Sequence, residues 1–153
     1  MPAFRFKFES VLEHRRRVED ECQRELAQHL RGRMILQNQL GQMQGTIQQA
    51  KHELGDALVG RVDLDRVSGF ARYSGHSTDR AMQIVRRMAR MEKQITEARQ
   101  RLLEATRERK AIELLRDQHA RQWERDRQRR DAIALDELAT QQYLRQAAMG
   151  GEA

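Results

Sequence analysis

Proline, aromatic residues and long apolar runs are scarce in this chain. The only proline among its 153 residues is Pro2, so no later proline breaks a helix by removing a backbone donor. Aromatic residues make up 5% of the chain, hydrophobic residues 39% and charged residues 34%. This is too little bulky apolar mass for a globular core, but it is enough to line a single seam. The composition therefore favours one elongated domain.

Cysteine is equally scarce, since Cys22 stands alone. A single thiol excludes an intramolecular disulfide and fits a reducing compartment. No run of about 18 consecutive apolar residues is present to span a bilayer, and the positively charged start, Met1 to Lys7, has no apolar run behind it. We therefore expect a soluble, cytoplasmic protein.

Sequence signatures of catalysis are missing as well. The chain has no G-x-x-x-x-G-K-[ST], H-E-x-x-H, G-x-S-x-G or C-x-x-C motif. Cys22 and His29 are seven residues apart, and two potential ligands without two more nearby do not form a closed zinc site. The sequence thus predicts no enzyme activity, no cofactor and no metal site.

The chain does contain two long stretches, about 10–58 and 79–148, in which apolar residues recur at three- and four-residue steps. Each such stripe needs a facing helix. The sequence therefore predicts an all-α fold, an elongated antiparallel two-helix coiled coil or helical hairpin, as a single domain over residues 1–153. The apolar or small seam positions are Leu12, Cys22, Leu26, Leu36, Leu40, Met43, Ile47, Ala50, Leu54 and Ala57 in the first helix, and Ile84, Met88, Met91, Ile95, Ala98, Leu102, Ala105, Ile112 and Trp123 in the second. Polar residues interrupt the seam at Arg15, Glu19, His29, Arg33, Arg109, Arg116 and His119.

Glycines and hydroxyl side chains predict a tip at residues 59–78 that separates the two helices. This segment contains Gly60, Gly69 and Gly75 together with several serines and a threonine, which favour turns. Residues 63–73 are compatible with a short amphipathic helix capped by Asp63. A new cap at Ser77, Thr78 or Asp79 is then expected to open the second long helix.

A tip of this length sets an expected register for the hairpin. If Leu58 faces Asp79, the numbers of facing residues sum to about 137, which places Leu12 opposite Arg125. The second helix then extends past its partner by roughly 18 residues. This overhang carries Ile133, Leu135, Leu138, Tyr143 and Leu144. Two interpretations remain open: the overhang binds a partner, or it folds back on Phe4, Phe6 and Phe8 or frays.

The net charge of +6 raises the question of an acidic partner. Arginines cluster at 15–17, 86–90 and 125–130, where they can neutralise phosphates. Acidic residues lie among these clusters, and Trp123 is the only aromatic residue beside them. A solvated helix face explains such clusters, so we do not expect a nucleic-acid partner, although a nucleic-acid-binding arm remains an alternative.

Several sequence blocks follow one another in a defined order along the chain. The start, Phe4-Arg5-Phe6-Lys7-Phe8, is followed by Val11-Leu12, Arg15 to Arg17 and Glu19 to Glu21. The second half contains a basic-aliphatic block, Lys110-Ala111-Ile112-Glu113-Leu114-Leu115-Arg116, and a closing Leu135-Asp136-Glu137-Leu138-Ala139 with Tyr143 and Arg145. In this order the blocks resemble the FliJ family of small coiled-coil proteins from the bacterial flagellar export apparatus, and the likeness spans nearly the whole chain.

The resemblance implies a central stalk, similar to that of rotary ATPases. Such a protein inserts into the hexameric export ATPase, stimulates it, and links it to the membrane export gate protein and to export chaperones, in the cytoplasm at the inner membrane of the flagellar base. The implied ATPase contacts are Phe4, Phe6, Phe8, Leu135, Leu138 and Tyr143.

For the export gate, the resemblance implies contacts at Phe70 and Tyr73. The stretch Arg72 to Asp79 is richer in glycine and polar residues than the family pattern, and Phe70 and Tyr73 are equally compatible with packing of the tip. The alternatives to a flagellar stalk are the equivalent stalk of a virulence injectisome and a generic coiled-coil adaptor.

Overall fold

Two long helices account for nearly all of the chain. The computed structural model describes residues 2–151, in which α1 (Glu9–Ala57) and α2 (Leu64–Gly150) are present and no strand occurs. Ion pairs between the helices join Arg15 to Glu108, Glu25 to Arg101 and Arg33 to Glu92. As the residue number rises along α1, the residue number of the partner on α2 falls. The helices therefore run antiparallel, and the predicted all-α helical hairpin is confirmed.

Packing within the hairpin falls into two compact units. A middle unit comprises Val18–Thr106, and a terminal unit comprises the chain up to Arg17 and from Arg107 onward. The boundary between the units lies inside each helix, so neither helix is interrupted there. Whether the whole chain behaves as one domain stays a prediction.

In the middle unit, the predicted seam supplies the buried side chains. Ile84, Ile95, Ala98 and Ala105 are buried on α2. Their spacings of eleven, three and seven residues are sums of three- and four-residue steps, which keep them on one face of the helix. Fully burying one isoleucine side chain contributes about 1.5–3 kcal/mol. Close approach of the helices is visible where a Cβ on Gly32 would lie 2.7 Å from the methyl carbon of Met91. The seam prediction is confirmed at these positions.

The terminal unit has a smaller apolar centre. Leu12 is fully buried, and Phe6, which precedes α1, is 8% exposed. Glu9 donates its amide hydrogen to the carbonyl oxygen of Phe6, and Leu12 donates to that of Phe8, with N–O distances of 3.3 and 3.0 Å. These bonds start α1 directly after the aromatic residues, so the position of Phe6 is tied to the first turn of the helix.

The connection between the helices is shorter than the predicted tip. Only residues 58–63 lie between α1 and α2, and among the residues described only Gly60 has a positive φ, +88°. The carboxylate of Asp63 accepts a bond of 3.0 Å from the amide of Asp65, which confirms Asp63 as a cap. It caps the long helix α2 itself, so residues 64–73 are not a separate short helix.

The predicted second cap at residues 77–79 is not formed because the seam continues through this region. Val67 and Phe70 are half-buried and Ser77 is buried, and they keep the same three- and four-residue steps that lead to Ile84. The hydroxyl of Thr78 donates to the carbonyl oxygen of Ser74 at 2.8 Å, a bond typical of a helix interior. Small seam residues, rather than a break, explain the weak apolar pattern here.

The short connection changes the register from the predicted one. In the middle unit Arg33 pairs with Glu92 and Arg101 with Glu25, and in the terminal unit Arg116 pairs with Glu9. These residue numbers sum to 125 or 126, so the predicted sum of about 137 and its pairing of Leu12 with Arg125 are wrong. The error follows from the tip, because a turn at 58–63 lies earlier in the chain than one centred in 59–78.

The same shift lengthens the part of α2 that has no facing helix. Every residue from 127 to 151 is exposed, compared with a predicted overhang of roughly 18 residues. We call residues 127–150 the exposed α2 end. It is helical throughout and spans about 36 Å at 1.5 Å per residue. It does not fold back on Phe4, Phe6 and Phe8.

Gly75 tests the continuity of α2, because it lies in the segment predicted as a tip. A Cβ at Gly75 would meet no atom within 4 Å. In a helix interior, Gly75→Ala should raise the free energy of unfolding by roughly 0.5–1 kcal/mol, since alanine loses less backbone entropy on folding. Urea unfolding followed by circular dichroism measures this change.

Gly60→Ala is the matched control in the connection. The left-handed conformation of Gly60 should make this substitution destabilising by about 1–2 kcal/mol. Destabilisation by Gly75→Ala as well would mean that residue 75 is not in a helix.

Candidate protein-binding surfaces

An aromatic cluster joins the start of the chain to α2 in the terminal unit. The rings of Phe4 and Trp123 have centroids 6.2 Å apart, and the ring of Phe6 lies 5.6 Å from the imidazole of His119 in an edge-to-face arrangement. Phe8 contacts Phe6 at 5.8 Å. Tilted and edge-to-face pairs of this kind add about 0.5–1.5 kcal/mol each beyond their buried area. We refer to these five residues as the aromatic cluster.

The cluster limits which of the predicted ATPase contacts remain accessible. Phe6 is buried and Phe4 is half-buried, whereas Phe8 is exposed. Phe6 therefore packs within the protein, and a partner would have to displace His119 and Phe8 to reach it. The sequence placed His119 and Trp123 on the seam, but it did not indicate that Phe4 packs on Trp123 or that Phe6 and Phe8 pack on His119.

Arginine and glutamate side chains form several ion pairs in the terminal unit. Glu113 accepts bonds from Arg109 at 2.7 Å and Arg16 at 3.5 Å, and Arg15 pairs with Glu108. Partial burial acts to raise the pKa of Glu113, but the hydrogen bonds and charges of Arg109 and then Arg16 outweigh it and lower that pKa below its ordinary value of 4.5. These side chains are partly exposed, so each pair contributes modestly to stability.

The exposed α2 end holds the second group of predicted ATPase contacts. Leu135, Leu138 and Tyr143 are 67%, 58% and 72% exposed. Ile133, Leu144 and Met149 are exposed beside them; Met149 was not singled out from the sequence, because it stands outside the closing motif. These exposed apolar side chains make the exposed α2 end a candidate binding surface.

The two predicted groups of ATPase contacts lie apart. Leu135 follows Trp123 by twelve residues, which is about 18 Å along one continuous helix. The aromatic cluster and the exposed α2 end are thus separate features of the terminal unit. The exposed α2 end offers the larger accessible apolar surface of the two.

In the middle unit, Phe70 and Tyr73 lie near the connection. Phe70 is half-buried and Tyr73 is 37% exposed, and both line a shallow cavity with Ala50, Leu54 and Ala57 of α1. Phe70 therefore contributes to packing of the hairpin, while Tyr73 leaves part of its ring accessible. Their contact with an export gate stays a prediction.

An adjoining groove was not recognised from the sequence. Its polar lining includes Gln39 and Thr46 of α1 with Tyr73, Arg80 and Arg87 of α2. We refer to it as the arginine groove. The arginine groove could have been located from the sequence if the α2 seam had been followed through Ser77, because that continuation places Arg80 and Arg87 beside the seam.

Residues 2–151 contain neither a cluster of metal ligands nor a membrane-spanning helix. No three His, Cys, Asp or Glu side chains in that range converge as metal ligands. No helix there combines the length and apolarity needed to cross a membrane.

The candidate sites of this molecule are helix surfaces on a two-helix hairpin, which defines the molecule as a coiled-coil protein. A family model described as flagellar FliJ protein matches residues 4–148. The chain therefore belongs to the flagellar FliJ family, whose members are non-catalytic components of the flagellar export apparatus, and it has an export-related role in association with that apparatus. No curated protein and no solved structure matched the chain.

Phe6→Ala tests the role of the aromatic cluster in packing. Loss of a buried ring at the edge of a small core should lower the free energy of unfolding by about 2–3 kcal/mol. Trp123 is the only tryptophan, so its emission should shift to longer wavelength as the Phe4 and Phe6 segment loosens. Phe8→Ala, at an exposed ring, is the control and should have the smaller effect; equal effects would contradict the packing described here.

Because the pKa of Glu113 is lowered, part of the free energy of unfolding of the terminal unit should depend on pH in the acidic range. A carboxylate whose pKa is lower in the folded state contributes stability above its unfolded pKa, and that contribution disappears as the pH falls through the folded pKa. Glu113→Gln should therefore cost about 0.5 kcal/mol at pH 7, and this cost should decrease as the pH is lowered from 7 to 3. Unfolding free energies of both forms at these pH values check this. A constant difference would mean that the Arg109 and Arg16 contacts do not act through charge.

Proposed function

We propose that this chain is the central stalk of the flagellar type III export apparatus. In this role the exposed α2 end binds inside the hexameric ring of the export ATPase and stimulates it, while the hairpin couples the ring to the membrane export gate and to export chaperones. Family membership supports the export role. The distribution of apolar residues on the exposed α2 end carries the ring contact.

Those apolar residues occupy opposite sides of the helix. At about 100° per residue, Ile133 and Leu144 fall on one side, while Leu135, Leu138 and Met149 fall on the other. All five are exposed. A helix that is apolar on opposite sides is normally enclosed, and a flat partner covers only one side. A ring that surrounds the helix covers both.

Burial of the exposed α2 end inside the ring provides enough free energy for stable binding of the two proteins. Each leucine or isoleucine buried contributes about 1.5–3 kcal/mol before the cost of association. Because the two sides of the helix differ in sequence, ring subunits on different sides meet different surfaces. Such asymmetric contact favours one conformation of an ATPase subunit over others. The difference is a coupling free energy between stalk binding and subunit conformation, and it needs no catalytic group in the stalk.

The contact with the export gate is proposed for the end of the middle unit near the connection. Tyr73 is the more accessible of the two candidate residues, and Phe70 forms the wall of the cavity beside it. Export at the flagellar base places the chain at the inner membrane through its partners. The injectisome stalk is the related alternative, and pairing with the flagellar ATPase distinguishes the two.

Leu135→Ala with Leu138→Ala tests the ring contact. Stimulation of ATP hydrolysis by the cognate flagellar export ATPase should fall by at least tenfold, because two exposed anchors worth roughly 1.5–3 kcal/mol each are removed. Ile133→Ala with Leu144→Ala should have a similar effect, since enclosure uses both sides of the helix.

Met34→Ala with Ile35→Ala is the matched control, because these two side chains are 62% and 57% exposed on α1 in the middle unit. This variant should stimulate the ATPase as the unaltered chain does. Loss of stimulation in only one of the exposed-end pairs would contradict enclosure by a ring and favour a coiled-coil adaptor that binds through a single face.

A further inference from the structure

One region of the middle unit has an unbalanced charge. From Met34 to Ala50, α1 contains no charged residue. The register places this segment opposite residues 75–91 of α2, where Arg80, Arg86, Arg87 and Arg90 occur with Asp79 as the only acidic residue. The arginines of this region therefore have almost no acidic residues facing them.

The neighbouring part of the same unit shows how such arginines are otherwise paired. Arg101 of α2 binds Glu25 of α1 at 2.5 Å. Arg87 and Arg80 precede Arg101 by fourteen and twenty-one residues, so they lie on the same side of α2. The matching positions of α1 hold Gln39 and Thr46 in place of a glutamate. Within residues 2–151, Arg80 and Arg87 have no ion pair or hydrogen bond.

The arginine groove places these two cations beside the edge of the apolar seam. Arg80 and Arg87 line the groove together with Met43 and Ile84. Seven residues separate the arginines, which is two helical turns or about 10.5 Å along α2. The groove thus combines two unpaired guanidinium groups at a fixed spacing with apolar contact area between the helices.

We propose that the arginine groove binds an acidic amphipathic helix of a partner protein. Two carboxylates spaced seven residues apart on that helix match Arg80 and Arg87, because guanidinium binds carboxylate through two parallel hydrogen bonds. Apolar residues between the carboxylates pack on Met43 and Ile84, as in other complexes of a helix in a groove. The partner helix supplies the acidic residues that α1 has at Glu25 and lacks at Gln39 and Thr46.

Charge and shape together favour a helix over a nucleic acid. Phosphates would neutralise the arginines, but they would make no apolar contact with Met43 and Ile84, and only Tyr73 and His76 supply rings in the groove on which bases could stack. The outward arginines, Arg86 and Arg90, do not line the groove. The proposal concerns the middle unit and is independent of the ring contact proposed for the exposed α2 end.

A designed peptide tests the groove with the full-length chain. The probe is a fluorescent amphipathic helix with two glutamates seven residues apart and leucines between them, and its counterpart has glutamine at both positions. Arg80→Gln with Arg87→Gln should weaken binding of the glutamate peptide by roughly tenfold or more, since each charge-assisted bond is partly screened at the surface. The glutamine peptide should bind weakly to both forms.

Arg86→Gln with Arg90→Gln is the matched control, because it removes the same charge from the same helix outside the groove. It should leave peptide affinity within about twofold of the unaltered chain at physiological salt. Circular dichroism should show equal helix content in both variants. Equal weakening by the two variants, or no weakening by Arg80→Gln with Arg87→Gln, would overturn the proposal.

A single-stranded oligonucleotide serves as the competing probe. We expect it to bind more weakly than the glutamate peptide. Tighter oligonucleotide binding that depends on Arg86 and Arg90 as much as on Arg87 would assign the arginines to a nucleic-acid surface and overturn the acidic-helix assignment.

Discussion

The repeating seam between α1 and α2 is the constraint on which the other features depend. A three- and four-residue repeat keeps one stripe of each helix against the other, and it continues through Ser77 to the start of α2. Because the repeat continues without interruption from the start of α2, the position of the short connection at 58–63 decides which residues of the two helices face each other, that is, the register. The position of the aromatic cluster, the start of the exposed α2 end and the alignment of the arginine groove all follow from that register.

The sequence was sufficient for the fold class and insufficient for the register. Leucine, isoleucine and methionine at seam positions predicted two antiparallel helices, and Ile84, Ile95 and Leu12 are buried accordingly. Ser77 and the helical glycines Gly69 and Gly75 concealed the continuation of α2, since these residues favour turns when read locally. Burial against a facing helix overrides that local preference.

For the candidate sites, the sequence identified residue types better than their surroundings. Leu135, Leu138 and Tyr143 are as accessible as a binding role requires, because no facing helix reaches them. Phe6 looked equally apolar in the sequence, yet it packs on His119. Which helix faces a residue depends on the register, so exposed and packed aromatic residues could not be separated before the register was known.

The exposed α2 end also differs from a free peptide in how its helix is started. An isolated segment of this length must first form an unfavourable hydrogen-bonded turn, whereas a helix that extends from a packed stem only propagates. The stem here ends around Trp123, which contacts Phe4 and lies beneath the guanidinium of Arg127 at 5.5 Å. Packing of Phe4 on Trp123 therefore holds the last part of the stem from which the helix continues to residue 150, and loosening it would increase the entropy that a partner must remove to bind there.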